Sequence, residues 1–202
     1  MKEKIIRIED FANKDESGLK SPTSRITFPL SDEDKKIINL MEEILFSLEG
    51  VGLAAPQIGI SKSIAAIYIP ETAALLRNNV ITYPMHTIIN GEYEPVISDG
   101  KYSDFEACYS VKTVCGNVQR YNTVKLKYQD EEGKEIVSIQ TGFYARVLQH
   151  EIDHLNGILI TDRLTPWCKQ GSLKEMSLLR RELLSEEQRD LFDKLTKQKG
   201  LA

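Results

Sequence analysis

Residues 149–157 read Gln-His-Glu-Ile-Asp-His-Leu-Asn-Gly and contain the pattern H-E-x-x-H at His150, Glu151 and His154. Residues four apart on a helix lie on one face about one turn apart, so the two imidazoles point to the same side. This arrangement suits two ligands of one metal ion, and the Glu151 carboxylate can reach a water bound by that metal. The less favoured interpretation is an amphipathic helix that carries both histidines by accident, because so short a pattern has false positives.

The pattern alone is typical of zinc peptidases, which need a third ligand that usually lies downstream. The longer pattern H-E-x-x-H-x-x-G-x-x-H is followed as far as Gly157, but Ile160 stands where its third histidine belongs. No histidine follows His154, so that class is excluded. A downstream acid stays open as a third ligand. Its candidates are Glu175 and Glu182, in a charged stretch more typical of a solvated helix face.

A better third ligand lies upstream at Cys108, within the segment Glu-Ala-Cys-Tyr-Ser at 106–110, which we predict to be a loop. One thiolate and two imidazoles leave a position open for water, which is the catalytic form of such a site. Cys108 by itself says little, because a free cysteine is most often a small buried apolar residue. A third segment strengthens the assignment of Cys108 as a ligand: residues 50–59 read Gly-Val-Gly-Leu-Ala-Ala-Pro-Gln-Ile-Gly.

Together and in this order, the three segments resemble the peptide deformylases, whose motifs are G-x-G-L-A-A-x-Q, E-G-C-L-S and Q-H-E-x-D-H. The first and third motifs match in full. The middle motif matches at Glu106, Cys108 and Ser110. It departs at Ala107 and Tyr109, where glycine and leucine are usual, and a side chain at position 107 predicts backbone strain if the glycine normally has a positive φ. Three ordered motifs are far more specific than any one of them.

The resemblance covers roughly residues 5–165 and implies an α+β fold. Mixed and antiparallel strands would pack around a central metal-binding helix that carries H-E-I-D-H, followed by a C-terminal helix. We expect one domain over residues 1–202, with a helical tail over about 170–202. A length of 202 residues and an apolar fraction of 41% suit one globular domain.

The apolar pattern predicts the individual elements. A helix begins after the capping residue Ser31 and ends near Gly50, so the glycines of the first motif follow a helix and do not form a nucleotide-binding loop. A second helix, over about 142–156, carries the metal motif. Two tail helices meet at a capping box of Ser185 and Gln188. Strands are predicted at 64–69, 86–89, 92–97, 124–128 and 135–140.

The resemblance implies that the protein removes the formyl group from the N-terminal methionine of new chains and releases formate. The implied ligands are Cys108, His150 and His154, holding one divalent transition metal. Ferrous iron is the family's usual physiological metal. Zinc, nickel and cobalt also suit thiolate and imidazole ligands and would be substitutes. The implied partners are N-formylmethionyl peptides.

The same resemblance implies the catalytic roles. Glu151 would take a proton from water and deliver it to the leaving amine. The Gln57 side chain and the backbone N–H of Tyr109 would stabilise the developing oxyanion. Apart from the resemblance, Asp153 either orients a ligand or simply faces water, and the supporting role is slightly favoured.

The glycine segment is predicted to bind a peptide backbone as an added strand, because glycines give room and unusual dihedral angles. Arg146 is unusual, since it lies one turn before His150 where the family has apolar residues that line the methionine pocket. A buried cation needs a partner or must reach solvent. Either the pocket is reshaped, or Arg146 reaches out and binds an anionic group. We expect Arg146 and Tyr109 to alter substrate choice without abolishing deformylation. The predicted substrate-binding set is Gly50, Val51, Gly52, Glu106, Phe143, Arg146 and Val147.

Composition argues against several classes. A net charge of −4 gives no basic surface for nucleic acid. Three cysteines without a C-x-x-C pair indicate reduced thiols and a cytoplasmic location. We expect no signal peptide, and no segment approaches the ~20 apolar residues of a membrane span. Some bacterial deformylases use a C-terminal helix to dock on the ribosome. The mixed charges of this tail instead favour a solvated helix that packs on the domain.

Two other classes stay open at this point. One is a deformylase-like protein that binds metal without catalysis, against which the presence of Glu151 and Gln57 argues. The other is a zinc endopeptidase with Glu175 or Glu182 as its third ligand. A substitution of Cys108 separates the endopeptidase, because only the deformylase interpretation needs this thiolate on the metal.

Overall fold

The structure, a computed structural model, describes residues 5–77 and 81–198. It combines helices and strands along the whole of this part of the chain. The helices are α1 (Asp32–Ser47), α2 (Glu71–Leu75), α3 (Gly142–Leu155), α4 (Ile160–Arg163), α5 (Leu173–Glu182) and α6 (Glu186–Gln198). The strands are β1 (Gly52–Ala54), β2 (Ile64–Ile69), β3 (Tyr83–Pro95), β4 (Lys101–Cys108), β5 (Val111–Tyr121), β6 (Thr123–Gln129), β7 (Glu135–Thr141) and β8 (Gln170–Gly171).

The strands form two antiparallel sheets. One has the order β1-β2-β3-β6-β7 and the other the order β4-β5-β8. Helix α3 contacts strands of both sheets, including β1 and β2 on one side and β5 on the other. The α+β fold with antiparallel strands around this helix is therefore as the sequence predicts.

Helix α3 is held in place by its apolar side. Leu148, Ile152 and Leu155 are buried in one core cluster with side chains of the larger sheet, among them Ile67 and Leu126. Each such side chain contributes about 1.5–3 kcal/mol on burial. This packing fixes the rotation of α3 and turns its opposite face, which carries the two histidines, toward β4.

Helix α1 begins as predicted. The Ser31 hydroxyl accepts a hydrogen bond from the Asp34 N–H at 3.1 Å, and the Asp34 carboxylate accepts one from the Ser31 N–H at 3.1 Å. The helix ends at Ser47, earlier than the predicted stop at Gly50. The tail contains two helices, and Ser185 and Gln188 bond reciprocally between them, as expected. Within the described ranges, no helix is both long and apolar enough to cross a bilayer.

Two predictions of local structure were wrong. Cys108 is the last residue of β4 and does not lie in a loop. The two strands expected at 86–89 and 92–97 are one long strand, β3, whose register shifts between Ile89 and Glu92. Asn90 has a φ of 54° there, so the apolar alternation breaks while the strand continues.

Candidate metal centre and active site

Three side chains that can bind metal meet between β4 and α3. One ligand atom from each of Cys108, His150 and His154 lies within 4.8 Å of the other two. The Cys108 Sγ and His154 Nε2 atoms are 3.2 Å apart. In a tetrahedral site, metal–ligand distances of about 2.3 Å to sulfur and 2.1 Å to nitrogen place two such ligand atoms about 3.6 Å apart. The spacing and the soft donor set therefore fit one divalent transition metal.

His150 is oriented by a carboxylate behind it. Its Nδ1 lies 2.8 Å from Oε2 of Glu106, which leaves Nε2 to face Cys108 and His154. Such an outer partner fixes the ring orientation of a metal-binding histidine. Burial lowers the pKa of His150, but hydrogen bonds with Cys108 and Glu106 raise it, and its pKa lies well above the ordinary value. Burial and the charge of His150 hold the pKa of His154 well below its ordinary value.

Glu106 is the centre of a buried ion-pair network. Arg120 donates to both of its oxygens, at 3.0 and 2.9 Å, and also pairs with Asp153. Arg163 binds the same aspartate at 3.0 and 2.5 Å. Burial raises the pKa of Glu106, but hydrogen bonds from His150 and Arg120 bring it well below its usual range. Asp153 is thus buried and linked to Glu106 through Arg120, a residue to which the sequence assigned no role, and its support of a ligand stays a prediction.

Arg146 joins this network and corrects an expectation. Its side chain is 1% exposed. Its Nη1 lies 2.6 Å from Oε1 of Glu106 and 2.9 Å from the Val118 carbonyl, and its Nη2 donates to the Tyr102 carbonyl at 2.9 Å. The guanidinium therefore spans from α3 to β4 and β5 and presents no cation to a substrate. Glu106 is likewise turned toward His150 and the arginines, which corrects its assignment to the substrate-binding set.

Glu151 lies beside the metal-binding atoms on α3. Its side chain is buried, and Oε2 has no hydrogen-bond partner in the described part of the protein. Burial raises the pKa of Glu151 to about 7. A carboxyl group that titrates near neutral pH is suited to carry a proton in catalysis.

The backbone of β1 passes directly over Glu151. A Cβ atom added to Gly52 would lie 2.3 Å from Oε1 of Glu151, closer than non-bonded atoms approach. Gly50 has a similar steric reason, because its Cβ would lie 2.7 Å from the Tyr109 hydroxyl. Neither glycine has a positive φ, so the loop needs them for room and not for unusual dihedral angles.

Gln57 is buried at the end of β1, on a single turn of 3-10 helix at Ala55–Ile58. Its Oε1 accepts a hydrogen bond from the Ala54 N–H at 2.8 Å, which fixes the orientation of the amide. Its Nε2 then points to Cys108 Sγ at 3.7 Å. An amide donor held in place beside the ligand atoms is suited to bind an anionic oxygen there.

Tyr109 follows the cysteine ligand and anchors the glycine segment. Its hydroxyl donates to the Leu48 carbonyl at 3.2 Å, and burial raises its pKa to about 12. The residue on the other side of the ligand, Ala107, has no positive φ. The strain expected from an alanine at this position is therefore absent.

The remaining substrate-binding candidates differ in how deeply their side chains are buried. Val147 lies in the core cluster under α3 and is 4% exposed, and its assignment to a substrate pocket stays a prediction. Val51 and Phe143 are half-buried at the edge of that cluster and keep accessible surface. Strand β1 is an edge of its sheet, and among the described strands it pairs with β2 alone.

The downstream acids have other roles. The Glu175 carboxylate caps α5 by accepting hydrogen bonds from the Ser172 N–H and hydroxyl, at 2.8 and 2.7 Å. Glu182 is exposed at the end of the same helix. Cys108, and neither of these acids, completes the metal-binding group with the two histidines. The zinc endopeptidase alternative therefore lacks the ligand that it requires.

Two antiparallel sheets around a helix, with one thiol, two imidazoles and a buried carboxyl group, fit the class of metal-dependent hydrolases. The family model described as polypeptide deformylase matches residues 8–170. Peptide deformylase 2 of Rickettsia conorii is 36% identical over 187 residues, which cover 91% of each chain. The peptide deformylase of Fusobacterium nucleatum is 35% identical and covers 76% of this chain and 81% of its own. This chain belongs to the polypeptide deformylase family.

Solved structures agree with this assignment. The peptide deformylase of Thermotoga maritima superposes with a TM-score of 0.64 at 31% identity, over 81% of this chain and 97% of its own. An enzyme of Plasmodium falciparum, also described as a peptide deformylase, gives a TM-score of 0.65 at 25% identity over 96% of each chain. The resemblance inferred from three short motifs is confirmed.

Proposed function

We propose that the protein hydrolyses the formamide C–N bond of N-formylmethionyl peptides, so that one water and one formyl peptide yield formate and a peptide with a free N-terminal amine. One observation carries the proposal. The ligand atoms of Cys108, His150 and His154 lie within 4.8 Å of one another, with Glu151 and Gln57 beside them, in a member of this family.

Cys108, His150 and His154 would hold the metal. When bound, the metal supplies Lewis-acid polarisation and makes water a nucleophile near neutral pH. We propose ferrous iron as the physiological ion, following the family, with zinc, nickel or cobalt as substitutes that the same donors accept. Glu106 keeps the His150 ring in the orientation that offers Nε2 to the ion, since it accepts the hydrogen bond at Nδ1.

Glu151 is the proposed proton carrier. Its carboxylate accepts the proton that water loses as it attacks the formyl carbon, and it then donates that proton to the departing amine nitrogen. Burial supports this role, because a pKa of about 7 lets the group hold and release a proton near neutral pH. Gly52 supports it sterically, because the absent side chain leaves room for the carboxylate.

The oxyanion that forms on the formyl carbon needs donors that are already in place. We assign this role to the Gln57 side-chain amide and the backbone N–H of Tyr109. The bond from the Ala54 N–H to Gln57 supports it, since the amide is oriented before a substrate arrives. Removal of one such donor typically costs about 10²–10³ in kcat.

Substrate binding is assigned to the open edge of β1 and its flanks. An extended peptide would pair with the backbone of Gly50, Val51 and Gly52 as an added strand, and Phe143 would contact a side chain of the peptide. Recognition through the backbone is largely independent of sequence. It suits an enzyme that acts on many nascent chains in the cytoplasm. Ribosome docking by the tail is the less favoured role, because α5 and α6 carry charges of both signs.

A formate-release assay tests this function. Protein purified anaerobically with ferrous iron should release one formate per formyl-Met peptide consumed, and the Glu151→Gln variant should lose most of this rate while keeping its metal. Wild-type protein that carries stoichiometric iron but releases no formate would instead establish a metal-binding relative without this catalysis.

A further inference from the structure

Two arginines share one aspartate in the middle of β4. Arg77 pairs through Nη1 with Asp104 and donates through Nη2 to the Phe105 carbonyl at 3.1 Å. Arg180 of α5 binds the other oxygen of Asp104 at 3.2 Å. Asp104 lies on β4, two residues before Glu106. Two guanidinium groups against one carboxylate leave this cluster with one positive charge in excess.

The tail holds the segment that carries Arg77. Arg180 Nη2 donates to the Leu76 carbonyl at 3.0 Å, and Gln188 of α6 donates to the Leu75 carbonyl at 2.7 Å. These carbonyls lie at the C-terminal end of α2, where a helix leaves acceptors without intrahelical partners. The tail helices lie beyond residues 8–170 of the family match. They cap α2 and thereby hold the backbone that immediately precedes Arg77.

Arg77 reaches the substrate side of α3. Its guanidinium lies 4.5 Å from the centre of the Phe143 ring. Phe143 precedes His150 by about two turns, or roughly 10 Å along the helix. An extended peptide advances about 3.3 Å per residue, so its second or third residue would lie at this distance from the metal. Arg77 keeps 15% of its side chain exposed. A peptide carboxylate would have to approach the guanidinium through this small exposed part of the side chain.

The charge of Arg77 is incompletely balanced. Burial and the neighbouring charge of Arg180 lower the pKa of Arg77 to about 10, although Asp104 raises it. A further carboxylate near this guanidinium would relieve the repulsion between the two arginines, and it would form a charge-assisted hydrogen bond.

We propose that Arg77 is a specificity-determining residue that binds a carboxylate on the second or third residue of a formyl peptide, and that Arg180 of α5 is its positioning residue. This inference rests on the proposed function. It makes α5 part of the structure that supports the peptide-binding site.

The test compares formyl-Met peptides that differ only by glutamate or glutamine at the second and third positions. The variants are Arg77→Met, Arg77→Lys, Arg180→Met and, as a matched control, Arg181→Met. Arg181 is the next residue on α5 and pairs with Asp193 of α6 at 2.7 Å, away from α2. The kcat/KM of the wild type should be roughly three- to tenfold higher for the glutamate peptides, and the difference should arise from a lower KM.

Arg77→Met and Arg180→Met should abolish this preference, Arg77→Lys should keep part of it, and Arg181→Met should keep it in full. Hydrogen exchange of the α2 amides should quicken in Arg180→Met and stay unchanged in Arg181→Met. The inference would be overturned if wild type had the same kcat/KM for both peptide types. It would also be overturned if the Arg180 and Arg181 variants had the same peptide preference.

Failure of the proposed function is distinguishable from failure of this inference. Wild type that turns over both peptide types at equal rates is a deformylase without the Arg77 site. If wild type turns over neither, equilibrium binding of the same fluorescently labelled peptides to metal-loaded protein decides the inference. Tighter binding of the glutamate peptides, lost in Arg77→Met, supports it, and equal binding rejects it.

Discussion

The Arg146 guanidinium lies 2.6 Å from the carboxylate of Glu106, whose other oxygen lies 2.8 Å from the ring of His150. One buried carboxylate thus joins a cation of α3 to a metal-binding histidine on the same helix. Arg120 binds the same carboxylate from β5, so Glu106 accepts hydrogen bonds from three side chains. Removal of any of these donors leaves charge or hydrogen-bonding capacity unpaired in the interior.

Arg146→Ile is expected to lower the free energy of unfolding by about 3–5 kcal/mol, the usual cost of breaking a buried ion pair from one side. The carbonyls of Tyr102 and Val118 also lose their donor. Urea denaturation of the wild type and the variant measures this change. Arg25→Ile is the matched control. It breaks the exposed pair with Glu92 and should cost about 0–1 kcal/mol. Equal losses in both variants would show that Arg146 is not part of the buried network.

Cys108→Ala should lose the metal, because two imidazoles alone hold a divalent ion weakly. Elemental analysis should give about one equivalent in wild type and far less in the variant. The thiolate absorption of a cobalt-substituted form should also disappear. Cys115→Ala removes another buried thiol, which contacts the Gly171 carbonyl, and should keep both metal and spectrum. Full metal content with unchanged cobalt spectra in Cys108→Ala would contradict its role as a ligand.

Glu151→Gln should keep the metal and lose most of the formate-release rate, because positioned acid–base catalysis contributes about 10²–10⁴. The variant keeps the size of the side chain and removes its ability to accept a proton. Steady-state kinetics together with metal analysis measure both effects. Loss of the metal along with the rate would make Glu151 a ligand or a structural residue, and an unchanged rate would refute the role.

Gly52→Ala should inactivate the enzyme without removing its metal. The added methyl group would lie 2.3 Å from Oε1 of Glu151, so the carboxylate has to move. A displacement of about 1 Å can cost roughly 10²-fold in rate. Gly171→Ala is the control, because its methyl group would also meet a carboxylate, that of Glu175 outside the site, in a milder contact at 2.9 Å. Steady-state kinetics at matched metal content should show a large loss of the formate-release rate in Gly52→Ala and none in Gly171→Ala.

Much of the site could be predicted from the sequence. The i, i+4 spacing of His150 and His154 follows from helix geometry alone, and the capping residues Ser31 and Ser185 follow from local hydrogen bonding. These are properties of short segments, and the structure has the corresponding helices. The predictions that failed depended on partners distant in sequence. Cys108 ends a strand because β4 pairs with β5, although its Gly, Ser and Asp neighbours favour a loop.

Arg146 illustrates the same limit. Its helical position places it near His150, but the direction of a long flexible side chain depends on what it finds across the interface. The structure supplies Glu106, 40 residues earlier in the chain, and two backbone carbonyls. The sequence by itself determined the family, the helix that carries the H-E-x-x-H motif and the residues proposed as catalytic groups, because these follow from residue type and local spacing. The tertiary structure alone decided which charges pair in the interior, because a buried charge needs a partner and only the packed sheets define where that partner lies.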